Sequence, residues 1–469
     1  MSRLIMLSSR CAAEKTGAFD LLDDAINDIL RKQPGVKMGW NGKINQGRKK
    51  RGYSQYQEKG STFCHWDMSP DEYDNYYHGY VNKTMWPIFH NRPDLAVYQK
   101  EYFITYKNYN QAVADMVTEQ LCDEDAVWVQ DYHHIAVGQR LKEDGYLNRC
   151  GFFFHQPFPP GEVFRSLPEH DWMIQALCHY DLIGFQSAAD ASHFMSYLCR
   201  YYRTERLTDE IIKVNGHIVS IGVFPCGIAA AARREPEKVN SALTDYRRRI
   251  IISNDAVTDI SGIHYRLEAM RRFLNHWPQY MRDVSLLQIS DPALECPHSS
   301  LDLQRKLERF CKELNGQYGD FSWYPVNYIH NDLCPRETMY SLYAKAEVAM
   351  FTSLSEGMNL GAKAFVLAQN PENPGVLMLS QFSGTSQQLR DAVIVNPYDA
   401  DETAQALHSA LTMPLQERKR RHQRLLETLR RQDNHWWYQA FRTALEHPEA
   451  TVGVPRMMRN RLFAGRALY

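Results

Sequence analysis

Short apolar runs return nine times along this chain, at residues 4–7, 126–129, 151–154, 182–185, 218–223, 249–253, 284–289, 346–351 and 375–379, with amphipathic stretches between them. Buried strands alternating with helical segments are the pattern of a parallel α/β architecture. Residues 265–274 and 301–314, for instance, carry apolar side chains at three-and-four spacing and predict helices. One hydrophobic core seldom organises 469 residues, so two lobes with a cleft between them are expected. The boundary is placed after Pro225-Cys226-Gly227-Ile228, where residues 229–249 turn polar and charged. This predicts a first lobe over 1–240, a second over 241–430, and a terminal helix and tail, 431–469, packing back on the first lobe. Residues 414–444, with Leu and Trp positions framed by Arg, Gln and Glu, read as one long helix.

The charge balance, 54 Lys plus Arg against 55 Asp plus Glu, supplies no global positive field for nucleic acid. The ten cysteines are scattered without a C-x-x-C pair or zinc-like spacing, which predicts reduced, mostly buried thiols and no metal site. The apolar start at residues 4–7 is too short for a signal peptide, and no segment has the length to span a bilayer. A cytoplasmic protein with neither membrane nor nucleic-acid partner and no cofactor is expected; association into a homo-oligomer stays open.

Ligands of a doubly wound fold bind at the carboxyl ends of the strands, so the polar residues that follow the apolar runs are the candidates. Ser8-Ser9-Arg10, followed by Thr16-Gly17-Ala18, offers a guanidinium and a tight turn to an anion, though a solvated arginine would look the same. Gln130-Asp131-Tyr132-His133-His134 places a carboxylate and two imidazoles at one strand end. That carboxylate can accept sugar hydroxyl hydrogen bonds or assist proton transfer, and the histidines are equally compatible with packing in a loop. His155-Gln156-Pro157-Phe158-Pro159-Pro160 sets a polar pair ahead of a stiff extended segment. Ser355-Glu356-Gly357-Met358-Asn359-Leu360 is a turn entering a helix, whose N–H groups suit sugar hydroxyls or phosphate as well as an ordinary helix start. Trp40, Tyr76, Tyr77 and Trp86 are aromatics fit to flank a sugar or to fill a core.

In order and spacing, Met85-Trp86-Pro87-Ile88-Phe89-His90, Gln130-Asp131-Tyr132-His133, the stretch from Gly151 to Pro159, Gly357-Met358-Asn359-Leu360 and the stretch from Asn373 to Phe382 resemble the trehalose-6-phosphate synthase family. The resemblance covers nearly the whole chain. It implies a retaining glycosyltransferase of GT-B architecture, two Rossmann-like domains facing each other across a cleft. It also implies that Arg10, Trp40, Tyr77 and Trp86 hold a hexose-phosphate acceptor, and that Asp131 and His155 are the catalytic-centre residues, orienting acceptor and donor sugars. Gly17 and the turn Glu356, Gly357, Met358, Asn359 and Leu360 are then donor-binding, with Glu356 standing where the family has Asp.

Departures from the family pattern gather at the donor phosphates. Where the family carries Arg-Leu-Asp-Tyr-x-Lys-Gly, this chain reads Ala256-Val257-Thr258-Asp259-Ile260-Ser261-Gly262, so Ala256 and Ser261 replace the clamp's Arg and Lys. The Glu that grips the nucleotide ribose is Ala364, an acceptor-phosphate Arg falls near Leu294-Glu295, and the Gly-Gly-Leu turn becomes Gly17-Ala18-Phe19. Loss of one stabiliser of developing charge costs on the order of 10²- to 10³-fold in rate. His264 and Arg266 lie close enough in sequence to compensate. The expectation is a glycosyltransferase or pseudo-glycosyltransferase joining a nucleotide-sugar or altered donor to a sugar phosphate. The family's pseudo-glycosyltransferase relatives couple a cyclitol nucleotide to an aminocyclitol phosphate in natural-product biosynthesis. The alternative is a non-catalytic sugar-phosphate-binding or regulatory paralogue.

Overall fold

The computed structural model describes residues 3–11, 21–45, 51–229, 248–291, 297–330 and 336–447. All nine apolar runs form strands, and seven further strands join them in two sheets.

The first sheet is built from β1 (Leu4–Arg10), β2 (Val36–Ile44), β3 (Tyr53–Glu58), β4 (Ser61–Met68), β5 (Ala126–Gln130), β6 (Cys150–Phe153), β7 (Leu182–Phe185), β8 (Thr204–Arg206), β9 (Ile211–Val214) and β10 (His217–Val223). Its order is β3-β4-β2-β1-β5-β6-β7-β10-β9-β8, parallel from β4 to β10 and antiparallel at both margins. The second sheet contains β11 (Arg249–Ala256), β12 (Val284–Asp291), β13 (Val326–His330), β14 (Val348–Phe351), β15 (Val376–Ser380) and β16 (Val393–Val395), all parallel, in the order β13-β12-β11-β14-β15-β16. That is the 3-2-1-4-5-6 order of a dinucleotide-binding fold, with its switch point between β11 and β14. In the first sheet the order reverses between β1 and β5. Ligand crevices are therefore expected beyond Arg10 and Gln130 in one lobe and beyond Ala256 and Phe351 in the other.

The predicted helices at 265–274 and 301–314 are Ile263–His276 and Pro297–Tyr318. The single terminal helix expected over 414–444 is instead two, Leu415–Arg431 and Asn434–Glu446. The break is made by Asp433, whose side chain leaves the helical path and accepts from the Trp436 N–H at 2.8 Å, an N-cap that restarts the chain in a new direction. The second of these helices lies against the first sheet, with the Phe441 ring stacked 4.2 Å from Trp128 and held close because Gly151 and Gly184 have no Cβ.

Between β4 and the helix Lys100–Thr118 the chain forms a π-helix, Glu72–Met85, that runs into a short turn, Trp86–Phe89. The Trp86 N–H donates to the Val81 carbonyl five residues back. The wider turn sets Tyr73 and Tyr77 on the face toward Trp40 while Tyr76 stacks 4.0 Å from Tyr109 in the core. The eight described cysteines are all free, six of them buried. No described helix is long and apolar enough to cross a membrane, and no cluster of metal-ligating side chains occurs among the described residues.

Candidate active site

Arg10 closes β1 and its Nη2 donates to the Tyr77 hydroxyl at 2.9 Å. Its guanidinium sits 5.1 Å from the Trp40 ring centre and 5.7 Å from that of Tyr77, and the two rings are 5.0 Å apart. A planar cation held over aromatic faces keeps donors for an anion without folding back into the protein. Three of the four predicted acceptor residues thus converge. The fourth, Trp86, packs its ring 4.4 Å from His90.

Asp131 follows β5 with φ 66° and ψ 169°, a conformation that non-glycine residues seldom hold and that marks functional sites when the surroundings enforce it. The backbone is held by the Asp131 N–H, which donates to the Phe153 carbonyl at 2.7 Å. Gln156 Nε2 donates to Asp131 Oδ2 at 3.4 Å, whereas the buried Oδ1 has no protein partner. Burial pushes this carboxyl up to about 7, opposed by the N–H groups of Tyr132, His155 and Gln156 and the Gln156 amide.

His155, beyond β6, is oriented by a chain of amides. The Cys226 N–H donates to Gln186 Oε1 at 2.8 Å, and Gln186 Nε2 lies 3.3 Å from His155 Nδ1. His155 Nε2 lies 2.8 Å from Gln130 Oε1. A carbonyl oxygen only accepts, so Nε2 carries the ring proton and Nδ1 takes the Gln186 N–H. Burial holds the imidazole neutral, with its pKa pushed down to about 3.

The second lobe meets this loop backbone to backbone: a Cβ on Gly357 would lie 2.1 Å from the His155 carbonyl oxygen, so only glycine permits the approach. Beside it, Glu356 accepts from Ser353 Oγ at 2.8 Å, from Asn359 Nδ2 at 3.0 Å and from Ser383 Oγ at 3.4 Å. Burial pushes the Glu356 carboxyl upward. Asn359 also caps the helix Leu360–Ala368, its side chain accepting from the Ala362 N–H. A cavity of about 210 Å³, room for a single sugar ring, is lined by Leu22, His155, Gln156, Gln186 and Cys226 from one lobe and Glu356, Gly357, Met358 and Leu360 from the other. All the predicted donor residues except Asn359 and Gly17 therefore line it; Asn359 supports it from behind, and Gly17 lies outside the described residues, as do Ala18, Phe19, Leu294 and Glu295.

At the second lobe's switch point Ala256 is exposed and Ser261 buried, its hydroxyl donating to the Thr258 carbonyl. Arg266 meets this region from inside the lobe, its Nη2 donating to the Ser261 carbonyl at 3.5 Å. Its guanidinium is buried, with Nη1 2.7 Å from Asp255 Oδ2 and 2.8 Å from Gln288 Oε1, and Nε donating to Thr352 Oγ1 at 3.1 Å. Ala364, where the resemblance implies a ribose-gripping Glu in the relatives, is fully buried in the core.

Sequence reasoning named Gln130 in its cluster without a role and missed Gln186, the two residues that orient His155; it also missed Leu22, which lines the cavity. The two glutamines left a signal: each directly follows an apolar run and stands at a strand's carboxyl end.

Two Rossmann-like sheets that share one cavity, lined beyond β6 and β7 in the first lobe and beyond β14 in the second, define a glycosyltransferase of the GT-B class. The model of glycosyltransferase family 20 matches residues 9–447, and the chain belongs to that family. It is 34% identical over 452 residues to a trehalose-6-phosphate synthase of Sodalis glossinidius, covering 94% of this chain and 95% of that one. Its fold matches that of an α,α-trehalose-phosphate synthase (UDP-forming) from Burkholderia xenovorans in complex with glucose-6-phosphate, with a TM-score of 0.89, 33% identity and coverage of 95% and 100% of the two chains. An Escherichia coli structure bound with UDP-2-fluoro glucose matches with a TM-score of 0.88 at 32% identity, covering 95% and 99%.

Proposed function

We propose that this glycosyltransferase joins a glucose-like donor to a hexose-phosphate acceptor with retention, in the cytoplasm, using a donor site that does not rely on the Arg and Lys clamp of its relatives. The lobes divide near residue 240, with the acceptor held by the first lobe and the donor by the second. The observation that carries the reading is a set of linked contacts: Tyr77 of the Arg10–Tyr77–Trp40 cluster lies 6.2 Å from His133 beyond β5, and the strained Asp131, with its unpartnered Oδ1, is bonded by Gln156, which lines the cavity shared by both lobes.

Arg10 and Tyr77 receive the acceptor phosphate and Trp40 and Trp86 flank the ring. Asp131 accepts a hydrogen bond from an acceptor hydroxyl, and neutral His155 and the Glu356–Leu360 turn orient the donor. The acceptor oxygen bonds to the anomeric carbon as the bond to the leaving group breaks on the same face, and the acceptor proton passes to the leaving group. No protein nucleophile is needed. With Ala256 and Ser261 in place of the charged clamp, and Arg266 committed to Asp255, a donor whose departure needs less charge stabilisation is favoured over an ordinary diphosphate. A cyclitol nucleotide of natural-product biosynthesis alters the transferred ring but leaves as the same diphosphate, so it belongs to the altered donors by its ring and not by its leaving group.

The test titrates glucose-6-phosphate, UDP, GDP and ADP separately into the protein by calorimetry and assays nucleotide-sugar pairs for product. Glucose-6-phosphate binding that falls at least tenfold in Arg10→Ala is expected, since a charge-assisted bond contributes about 1.5–3 kcal/mol. Glucose-6-phosphate binding equally well to Arg10→Ala, or no product from any nucleotide-linked donor, defeats the reading.

A further inference from the structure

Gln156 stands between the two places that transfer must join. It lines the cavity, yet its Nε2 lies 3.4 Å from Asp131 Oδ2, and the same side chain hydrogen-bonds the imidazole of His90. His90 is itself fixed. Its Nδ1 lies 2.7 Å from the Trp86 carbonyl oxygen, which can only accept, so Nδ1 carries the ring proton. Burial pushes the His90 pKa down to about 4, opposed by the Trp86 carbonyl and by the Gln156 side chain. A contact that raises the pKa of an imidazole comes from an acceptor, so the Gln156 carbonyl oxygen faces His90 while its Nε2 serves Asp131. Trp86, His90, Gln156 and Asp131 form a continuous polar path from an acceptor-side aromatic to the donor cavity. Among the described residues, Gln156 is the cavity-lining residue whose side chain bonds Asp131.

We propose that Gln156 is a positioning residue that holds the Asp131 carboxylate ionised and aimed at the acceptor, with His90 fixing the orientation of its amide. This rests on the reading of Asp131 as the acceptor-side carboxylate. The titratable groups around Asp131 come from several elements: His90 after the turn Trp86–Phe89, Tyr106 on the helix Lys100–Thr118, His133 and Tyr132 beyond β5, and His155 beyond β6, with Arg10 of β1 bearing on His133. The imidazoles are neutral through burial, so the hydrogen bond from Gln156 is the contact a single substitution can remove without changing a charge.

A hydrogen bond to the ionised form favours ionisation, so its removal must move the carboxyl upward. The experiment follows the Asp131 carboxyl by infrared spectroscopy of ¹³C-aspartate-labelled full-length protein, without ligand, with Asp131→Asn assigning the band. Gln156→Leu should raise the titration midpoint by about one pH unit, and the nearly isosteric Gln156→Glu, which adds a second carboxylate, by more. His90→Phe should shift it in the same direction by less. Glucose-6-phosphate affinity should fall about tenfold in Gln156→Leu at pH 7, with the loss shrinking as the pH is raised. Asp131 midpoints unchanged in both Gln156 variants, with circular dichroism and melting temperature as in the parent, overturn the proposal. Should the parent show no transfer with any donor, the proposed function fails while the ligand-free titration still decides the role of Gln156.

Discussion

The two halves of the site treat their polar groups in opposite ways. In the first lobe, Arg10 makes one hydrogen bond over its aromatic cradle, and Ser8 Oγ, Gln130 Nε2, Asp131 Oδ1 and His133 Nδ1 are buried without a protein partner. In the second lobe, Glu356 is bonded by Ser353, Asn359 and Ser383, and Arg266 by Asp255, Gln288 and Thr352. Buried polar atoms are normally satisfied, and each orphan costs about 1–3 kcal/mol. The first lobe therefore gathers unmet hydrogen-bonding capacity around Asp131 that a polyhydroxylated ligand can satisfy, whereas in the second lobe Glu356 and Arg266 are already bonded by protein groups and Asn254 Oδ1, beside Asp255, is a buried atom left without a protein partner. On the function proposed above, the two substrates are recognised by different means: the acceptor by charge and strain built in advance, the donor by shape and backbone in the closely packed Gly357 turn.

The largest effect should come from removing the strained carboxylate. Its folded-state pKa of about 7 lies above the 3.8 of an ordinary aspartate, so the native state binds this proton more tightly than the unfolded chain does. The native state's advantage from this group is present below about pH 4, is lost as the pH rises toward 7, and is absent above it. Asp131→Asn keeps the size and removes the ionisation. Transfer should fall on the order of 10²-fold or more, while the melting temperature at pH 8 rises by several degrees and the gain vanishes near pH 4. Activity retained in this variant would show that the acceptor half is not organised around the carboxylate, and the contrast between the halves would lose its centre.

Much of this was legible in the sequence, and the gaps have physical causes. Nine strands announced themselves because central parallel strands are apolar on both faces. The margins did not: β3, Tyr-Ser-Gln-Tyr-Gln-Glu, is an exposed edge, and β8 and β9 are short; the interior strand β2 also escaped, its pattern hidden behind Gly39 and Gly42. The π-helix gave no periodic signal because tyrosines lie on several of its faces, some in the core and some toward the site. Arg10, Trp40, Tyr77, Asp131 and His155 stood out as strand-end polar residues or as a family resemblance. The roles of Gln186, Cys226 and His90 did not, since each depends on partners dozens of residues away, such as the 40-residue separation between Cys226 and Gln186. Arg266 was read as a candidate substitute for the clamp; its commitment to Asp255 follows from both facing the same buried point between β11, β12 and β14, which sequence distance cannot reveal.

A second, smaller effect would sharpen the comparison by giving the donor half a free charge. Ala256 is exposed at the end of β11, directly after the Asp255 that pairs with Arg266. In Ala256→Arg the new guanidinium has no buried carboxylate to pair with in its place, because Asp255 is taken. UDP affinity should rise about tenfold, in keeping with one charge-assisted hydrogen bond, with glucose-6-phosphate affinity unchanged. Calorimetry of the two ligands separates these expectations. An equal gain for both would mean that the halves share one electrostatic field rather than acting separately.

The smallest effect should follow from Glu356→Asp, which restores the family's residue at the turn. The glutamate reaches Ser353, Asn359 and Ser383 because its carboxylate lies one methylene farther from the backbone, and shortening it must withdraw the group from at least one of them. The helix start should survive, since Asn359 Oδ1 holds the Ala362 N–H independently at 2.7 Å. The melting temperature should therefore change by a degree or two, near the ordinary range for losing one hydrogen bond of about 1 kcal/mol. The KM for a working nucleotide-sugar donor should shift only about threefold, because a carboxylate held by three neighbours has little left to give a ligand. A change of tenfold or more in donor KM, with the acceptor KM unmoved, would show that Glu356 bonds the donor directly and that the second lobe is as open to its ligand as the first.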